Sequence, residues 1–303
     1  MRLLITGASG LYGSRLAQLA LAKNFEVYSS DIQSLTVYGT FVKLDISERA
    51  HVVEVFKNIK PDVVVHAASL TDVDKCELNK ALAWKVNVDG TKNIVESAEK
   101  TGSFLIYIST DYVFSGEKGC YVESDACDPV NYYGLTKLLA EEIVQTQAEY
   151  FIGRPSVIYG STPAAGKVNF ALWLIETLRK RERVKIVTDQ WNTPTLNTNL
   201  AEMTLEVIER RLTGTYHLSG ATRVSRFEFA EQIADEFGLD KGLIDSVLSS
   251  DFTWPARRPM DSSLDTSKAK KTLKNKPLEM GEALERLRVE LSRKGAQRSK
   301  TVI

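Results

Sequence analysis

Along the first half of the chain, short apolar runs alternate with stretches whose apolar residues recur every three or four positions. RLLIT (residues 2–6), FEVYSS (25–30), TFVKLD (40–45), DVVVHAA (62–68), FLIYIS (104–109) and YFIGR (150–154) read as strands. DVVVHAA and FLIYIS are continuous rather than alternating, as in strands buried on both faces. Between them, LYGSRLAQLALA sets Leu11, Leu16, Leu19 and Ala20 on one helical stripe. ERAHVVEVFKNI is helical up to Pro61, KALAWKVNVDGTKNIVESAEK is a long helix, and another spans 132–147. This alternation predicts an α/β fold: a doubly wound parallel sheet of Rossmann type, helices on both faces.

Past residue 155 the order loosens. Helices are expected at KVNFALWLIETLRKRE (167–182), NLAEMTLEVIERR (199–211) and SRFEFAEQIADEFG (225–238), with strands at VKIVTD (184–189) and TYHLSG (215–220). Three regions follow: a dinucleotide-binding domain over 1–155, a smaller substrate lobe over 156–290 interleaved with the last sheet strands, and a basic, frayed tail over 291–303.

The 303 residues are 43% hydrophobic and carry a formal net charge of +0. A balanced chain gives no electrostatic reason to expect nucleic acid or an anionic membrane as partner. No apolar run is long enough to span a bilayer, and the chain opens directly on a strand without a signal-like segment, so a cytoplasmic protein is expected. Cys76, Cys120 and Cys127, and His51, His66 and His217, have neither disulfide nor metal-ligand spacing.

The loop TGASGLYG (6–13) follows one strand, opens a helix and heads a βαβ unit. In that context Gly7 permits a tight turn, Gly10 lets backbone approach a pyrophosphate at the helix N-terminus, and Gly13 lets helix pack on strand. The spacing is GxxGxxG rather than GxGxxG. Asp31, just past the second strand, is placed to bond the adenosine ribose hydroxyls and to repel a 2′-phosphate. With no Lys or Arg between Lys23 and Lys43, NAD(H) is favoured, while Ser29 and Ser30 leave NADP(H) open. Asp45 ends the third strand within reach of the adenine.

STDYVF starts at Ser109, where a buried strand ends, and NYYGLTK follows some 22 residues on. Tyr133 and Lys137 stand four apart and share a helix face. Hydride reduction of a ketone needs a proton for the developing alkoxide. A tyrosine supplies it, a nearby ammonium lowers the phenol's pKa and bonds the nicotinamide ribose, and a hydroxyl, here Thr110, fixes the carbonyl oxygen.

These motifs together resemble the extended short-chain dehydrogenases/reductases, and more narrowly the dTDP-4-dehydrorhamnose reductase family. The likeness runs through RLLITGASGLYG, VVVHAASLTDVDKCE, VNVDGTKNI, ISTDYVFSG, YYGLTKLLAEE, GRPSVIYG, DQWNTPTLNTNLAE, GTYHLSG and RRPMDSSLDTSK, most of residues 1–270. The resemblance implies a catalytic triad of Thr110, Tyr133 and Lys137, with Ser9, Leu11 and Tyr12 near the pyrophosphate and Ala67, Ala68 and Asn87 lining the cofactor cleft. It implies that Thr71, Asp72 and Val73, with Asp111, Tyr112 and Val113, border the sugar. Asn169, Phe170, Gln190, Trp191 and Arg258 match positions that bind the nucleotide. The stretch RPSVIYG departs from the family pattern at Pro155, Ser156 and Val157, where an aromatic residue is usual. The expected activity is NAD(P)H-dependent reduction of the 4-keto group of a nucleotide-linked 6-deoxysugar, by a possible homodimer. A nucleotide-sugar 4-epimerase, and a dinucleotide-binding regulatory subunit like that of methionine adenosyltransferase, are the alternatives. A 4,6-dehydratase would need an acidic pair after the threonine, and TDY offers Asp111 alone.

Overall fold

A computed structural model describes residues 1–33, 38–162 and 168–300, the last seven of these by backbone alone. In chain order the elements are β1 (Arg2–Thr6), α1 (Leu11–Ala22), β2 (Glu26–Asp31), β3 (Thr40–Lys43), α2 (Arg49–Ile59), β4 (Val63–His66), α3 (Val73–Leu78), α4 (Lys80–Trp84), α5 (Gly90–Thr101), β5 (Phe104–Ile108) and α6 (Tyr132–Val144). After these come β6 (Tyr150–Gly153), β7 (Ser156–Tyr159), α7 (Phe170–Arg179), β8 (Val184–Val187), β9 (Trp191–Asn192), β10 (Pro194–Leu196), α8 (Asn197–Arg210) and β11 (Gly214–Tyr216). The chain finishes with β12 (Val224–Ser225), α9 (Arg226–Glu236), β13 (Ile244–Val247), α10 (Ser267–Thr272) and α11 (Met280–Lys300).

Seven strands form one parallel sheet in the order β11-β6-β5-β4-β1-β2-β3. The order reverses between β1 and β4, which opens a crevice at the carboxyl ends of the strands, where ligands of such sheets bind. β4 and β5 are buried along their whole length, which is why their sequences show no alternation. On one face α1 and α8 pack with Leu3, Ile5, Val63, Val65 and Ile106. On the other, α2, α5 and α6 cover Leu4, Val64, Leu105 and Tyr107.

A separate apolar cluster joins α7, α9 and α11 around Tyr159, Leu174, Phe229, Ile233 and Leu287. It is the core of the smaller lobe, on which the short pairs β7–β10, β8–β13 and β9–β12 sit. The chain enters this lobe at β7 and returns to the main sheet at β11, so the two cores share strands' ends and α8 rather than a linker.

Three expectations need correction. The stretch from residue 80 to 101 is one helical run, but a π-helical turn over Lys85–Asp89 divides it, where Asn87 turns inward. The basic tail does not fray at 291: the backbone stays helical to Lys300, and 301–303 lie outside the described residues. Arg286 explains the helix's seating. It pairs with Glu202 on α8, and Glu290 accepts from Arg15, Thr198 and Ser161. For the helix expected from 167, Lys167 lies outside the described residues and the helix itself begins at Phe170.

Candidate active site

The glycine loop closes directly on the end of β4. Gly7 has a φ of 71°, and a Cβ there would stand 2.8 Å from the Ala68 nitrogen. A Cβ on Gly13 would strike the Gly7 carbonyl, and Gly10 caps α1 without any side chain. The helix start therefore faces the crevice as bare backbone, its first N–H groups without intrahelical acceptors, a cradle that fits a pyrophosphate. Asp31 ends β2 beside it, taking the Ser9 N–H on Oδ2 (3.0 Å) and the Ile32 N–H on Oδ1 (2.8 Å).

Several side chains expected at the cofactor turn elsewhere. Tyr12 is buried in the main core, its hydroxyl donating to Thr204 Oγ1 at 2.8 Å, and burial raises its pKa. The Leu11 carbonyl accepts from Asn197. The Ser9 hydroxyl donates to the Gln33 carbonyl (2.9 Å). Asp45 folds back on Ser47, accepting its N–H and its hydroxyl on one oxygen. Ala67 and Ala68 donate their N–H groups to Thr6 Oγ1, which fixes the β4 exit against Gly7. Asn87 braces the next loop, accepting the Leu70 N–H (2.7 Å) and donating to the Leu70 carbonyl and Thr136.

One strand further, β5 ends at Ile108 and Thr110 caps a short 3₁₀ turn over Asp111–Val113. Tyr133 opens the facing side of α6, whose first turn is capped by Asn131. Thr110 stands close enough to the Tyr133 hydroxyl to oppose the rise of its pKa, and Tyr112 meets the Tyr133 ring edge-on at 6.0 Å. Only 8% of Tyr133 is exposed, and burial holds its phenol above the ordinary range. Lys137, 2% exposed, donates to the Ile108 carbonyl at 2.7 Å with its amine 4.1 Å from the centroid of the Tyr107 ring. Desolvation brings its pKa down to about 7 against the opposing pull of Glu141. The expected lowering of the phenol by the ammonium is thus absent in this geometry: the amine is turned onto backbone, and burial decides the tyrosine. A phenol keeps its proton across neutral pH at its ordinary value already, so Tyr133 stays a proton donor, made a weaker acid by its burial.

Asp111 does not border an open sugar site. It is buried, accepting from Thr110 (3.0 Å), Ser156 (2.8 Å) and Ser262 (2.6 Å), and burial raises its pKa. Its role is to knot the catalytic turn to β7 and to the 256–264 segment. The departure at RPSVIYG belongs to the same knot: Ser156 donates to Asp111, and Val157 is held at a φ of 39° where β7 slips register against β10. A β-branched residue there is strained.

Around the mouth, Asp72 caps α3, Thr71 is exposed beside it, and Val113 is buried behind Tyr112. Further out, a 270 Å³ cavity lies in the smaller lobe, with Phe170, Gln190 and Arg258 in its wall. Asn169 instead caps α7 and holds the carbonyls of Gly160 and Thr162. Trp191 is turned away, its ring under the Arg223 guanidinium at 4.0 Å while Arg223 pairs with Asp261. The aromatic wall comes from residues the motifs did not single out: Trp173, Phe252 and Trp254, the last two stacked at 5.3 Å and 9°. Arg226 and Lys185 add positive charge. The signal available was the aromatic pair in DFTWPARR, next to two arginines in a stretch without helical or strand period. The Gln190 amide nitrogen is buried and unpartnered at this wall, a donor waiting for an acceptor.

Comparison with known proteins agrees with this geometry. The family model described as the RmlD substrate binding domain matches residues 1–292. A probable low-salt glycan biosynthesis reductase, Agl14 of Haloferax volcanii, is 34% identical over 87% of this chain and 89% of its own length. The dTDP-4-dehydrorhamnose reductase of Aggregatibacter actinomycetemcomitans is 31% identical over 95% of this chain and 98% of its own. Among solved structures, the dTDP-4-dehydrorhamnose reductase of Bacillus anthracis, in complex with NADP, superposes with a TM-score of 0.87 at 31% identity, covering 95% of this chain and 99% of that one. A sheet that reverses at a glycine cradle, a tyrosine buried at its edge and relatives aligned along nearly their whole length lead to one conclusion: the chain belongs to the RmlD family, that of the dTDP-4-dehydrorhamnose reductases.

Proposed function

We propose that the protein reduces the C4 ketone of a nucleotide-linked 4-keto-6-deoxysugar, dTDP-4-dehydrorhamnose first among them, at the expense of NAD(P)H. The observation that carries the reading is the convergence of Thr110 and a buried Tyr133 at the carboxyl edge of the sheet, with a buried Lys137 one helical turn on. The bound nicotinamide supplies a hydride to C4. Tyr133 gives its proton to the carbonyl oxygen as charge develops there, and Thr110 holds that oxygen beside it. Lys137, whose amine donates to the Ile108 carbonyl, keeps further N–H donors, and these bond the nicotinamide ribose.

In this reading the N-terminus of α1 holds the pyrophosphate and Asp31 the adenosine ribose, which favours NADH over NADPH. The Bacillus anthracis relative binds NADP, so the ratio of the two cofactors' kcat/KM values measures Asp31's contribution. Arg226 and Arg258 receive the diphosphate and the Phe252–Trp254 pair the base.

The test is oxidation of NADH and NADPH in the presence of dTDP-4-dehydrorhamnose, for wild type and Tyr133→Phe. Turnover that consumes one reduced cofactor per sugar and collapses in the variant supports the reading. Cofactor binding without turnover overturns it, and conversion of the sugar without net oxidation of cofactor points to an epimerase.

A further inference from the structure

Asp74 is outside the cavity, on the second residue of α3, yet it holds the cavity's arginine. Its Oδ2 accepts from Arg258 Nη2 at 2.8 Å, and its Oδ1 accepts the Ala256 N–H at 3.1 Å. Arg258 Nη1 closes the ring by donating to the Ala256 carbonyl at 2.8 Å. The guanidinium lies 5.6 Å from the Trp254 ring centroid. One carboxylate therefore fixes both the backbone of the 256–258 segment and the side chain that segment carries. Arg258 is mostly buried in the pairing, 15% exposed, and Asp74 is 32% exposed.

The same short helix also reaches the catalytic side. Glu77 accepts the Tyr132 N–H at 3.0 Å, one residue before the catalytic tyrosine, and Cys76 packs against Tyr133. Asn131, which caps α6, donates to the Arg257 carbonyl at 2.9 Å. The substrate lobe's arginine and the sheet's tyrosine are thus tied to one element across the cleft.

A guanidinium has five N–H donors, and the two bonds above use two of them. The remaining donors are available to a diphosphate while Asp74 keeps its grip. A long arginine side chain left loose on a surface segment would lose rotamer freedom on binding, and an arginine already oriented does not. We infer that Asp74 is a positioning residue for nucleotide-sugar binding: it pre-orients Arg258 for the substrate's diphosphate and seats the 256–258 segment under it. The inference rests on the reading of Arg258 as a diphosphate ligand given above.

The experiment is calorimetric titration of dTDP, dTMP and NADH into wild type, Asp74→Asn, Asp74→Glu and Asp74→Asn/Arg258→Lys. Asp74→Asn is expected to weaken dTDP about tenfold and dTMP by under about twofold, since dTMP lacks the β-phosphate, with NADH unchanged. In turnover the same variant raises KM for the nucleotide sugar with kcat within about twofold. Asp74→Glu recovers part of the dTDP affinity. Arg258→Lys on top of Asp74→Asn adds little to the loss, because the two act as one unit. Equal or tighter dTDP binding by Asp74→Asn overturns the inference, the latter by making Asp74 a competitor of the phosphate. A parallel loss of NADH affinity or of melting temperature in both Asp74 variants overturns it too, by making the contact merely structural. If wild type itself does not bind dTDP, the failure belongs to the nucleotide-sugar reading.

Discussion

The two walls of the cleft are built on different principles. The catalytic wall is dry. Tyr133 and Lys137 are almost wholly covered, Thr110 and Asp111 are buried, and beneath them Arg154 grips Glu141 in the interior through bonds of 2.9 and 2.5 Å. The opposite wall is half-open. Trp173 and Phe252 are more than a third exposed, and Arg258 is held there by a carboxylate, Asp74, that is itself partly exposed. Burial moves the proton affinities on the first wall: Lys137 down, Tyr133 and Asp111 up. None of that is needed on the second, where rings and guanidinium groups supply area and charge. On the proposed reading, the chemistry is pre-set by the fold's core, while substrate binding is left to the half-open surface.

That contrast can be broken most forcefully at the ion pair. Glu141→Ala leaves Arg154 buried without its carboxylate and should lower unfolding free energy by about 3–5 kcal/mol, read by urea denaturation. A loss under ~1 kcal/mol would mean that the interior does not carry the catalytic helix. Next comes the proton donor. Tyr133→Phe should reduce kcat by about 10²- to 10⁴-fold, with a melting temperature near that of wild type.

Lys137 links chemistry to stability with a definite sign. Its folded pKa of about 7 lies below the ordinary lysine value of 10.5. Between those values the unfolded chain binds more protons, so this group makes wild type more stable as pH rises from 7 towards 10.5, and below 7 its full penalty is present. Lys137→Met should lose that slope and melt higher than wild type at pH 6. Wild-type kcat/KM should also bend down as pH rises through about 7, where the ammonium is lost. Melting curves across pH, set beside the rate profile, test both statements.

On the open wall the expected effects are smaller. Trp254→Ala should raise KM for the nucleotide sugar about tenfold, about 1.4 kcal/mol, with kcat little changed. A fall in kcat as large as that of Tyr133→Phe would erase the distinction between the walls. Smallest is cofactor choice: Asp31→Ala should shift the NADH-to-NADPH preference towards NADPH by about tenfold, seen in the ratio of kcat/KM values, since the carboxylate no longer repels a 2′-phosphate.

The strands and the helices of the first half were legible because their signals are local. Apolar period and breakers such as Pro61 depend on neighbours a few residues away. So does the sharing of one face by Tyr133 and Lys137, and so do Gly10 and Gly13, which answer to the Gly7 carbonyl, whereas Gly7 itself meets Ala67 and Ala68 at the distant β4 exit. The direction of a side chain between distant elements is not local, and there the motifs misled. Tyr12 stands in the loop's motif, but α8, almost 200 residues away, offers Thr204 and a core to fill. Trp191 sits in a nucleotide-site motif, but Arg223 covers it. Asp111 looked free to meet a sugar until Ser156 and Ser262 came to it from 45 and 151 residues along the chain.

By itself, then, the sequence determined the strands, the glycine turn and the shared helix face of Tyr133 and Lys137, since each follows from spacing that a strand or helix converts directly into geometry. Only the tertiary structure decided which carboxylates are spent on hydroxyls, which aromatic rings face the cavity, and that Asp74 holds Arg258 across the cleft. Those depend on how two cores pack against each other, and packing is settled by the whole chain's burial at once rather than by any stretch of it.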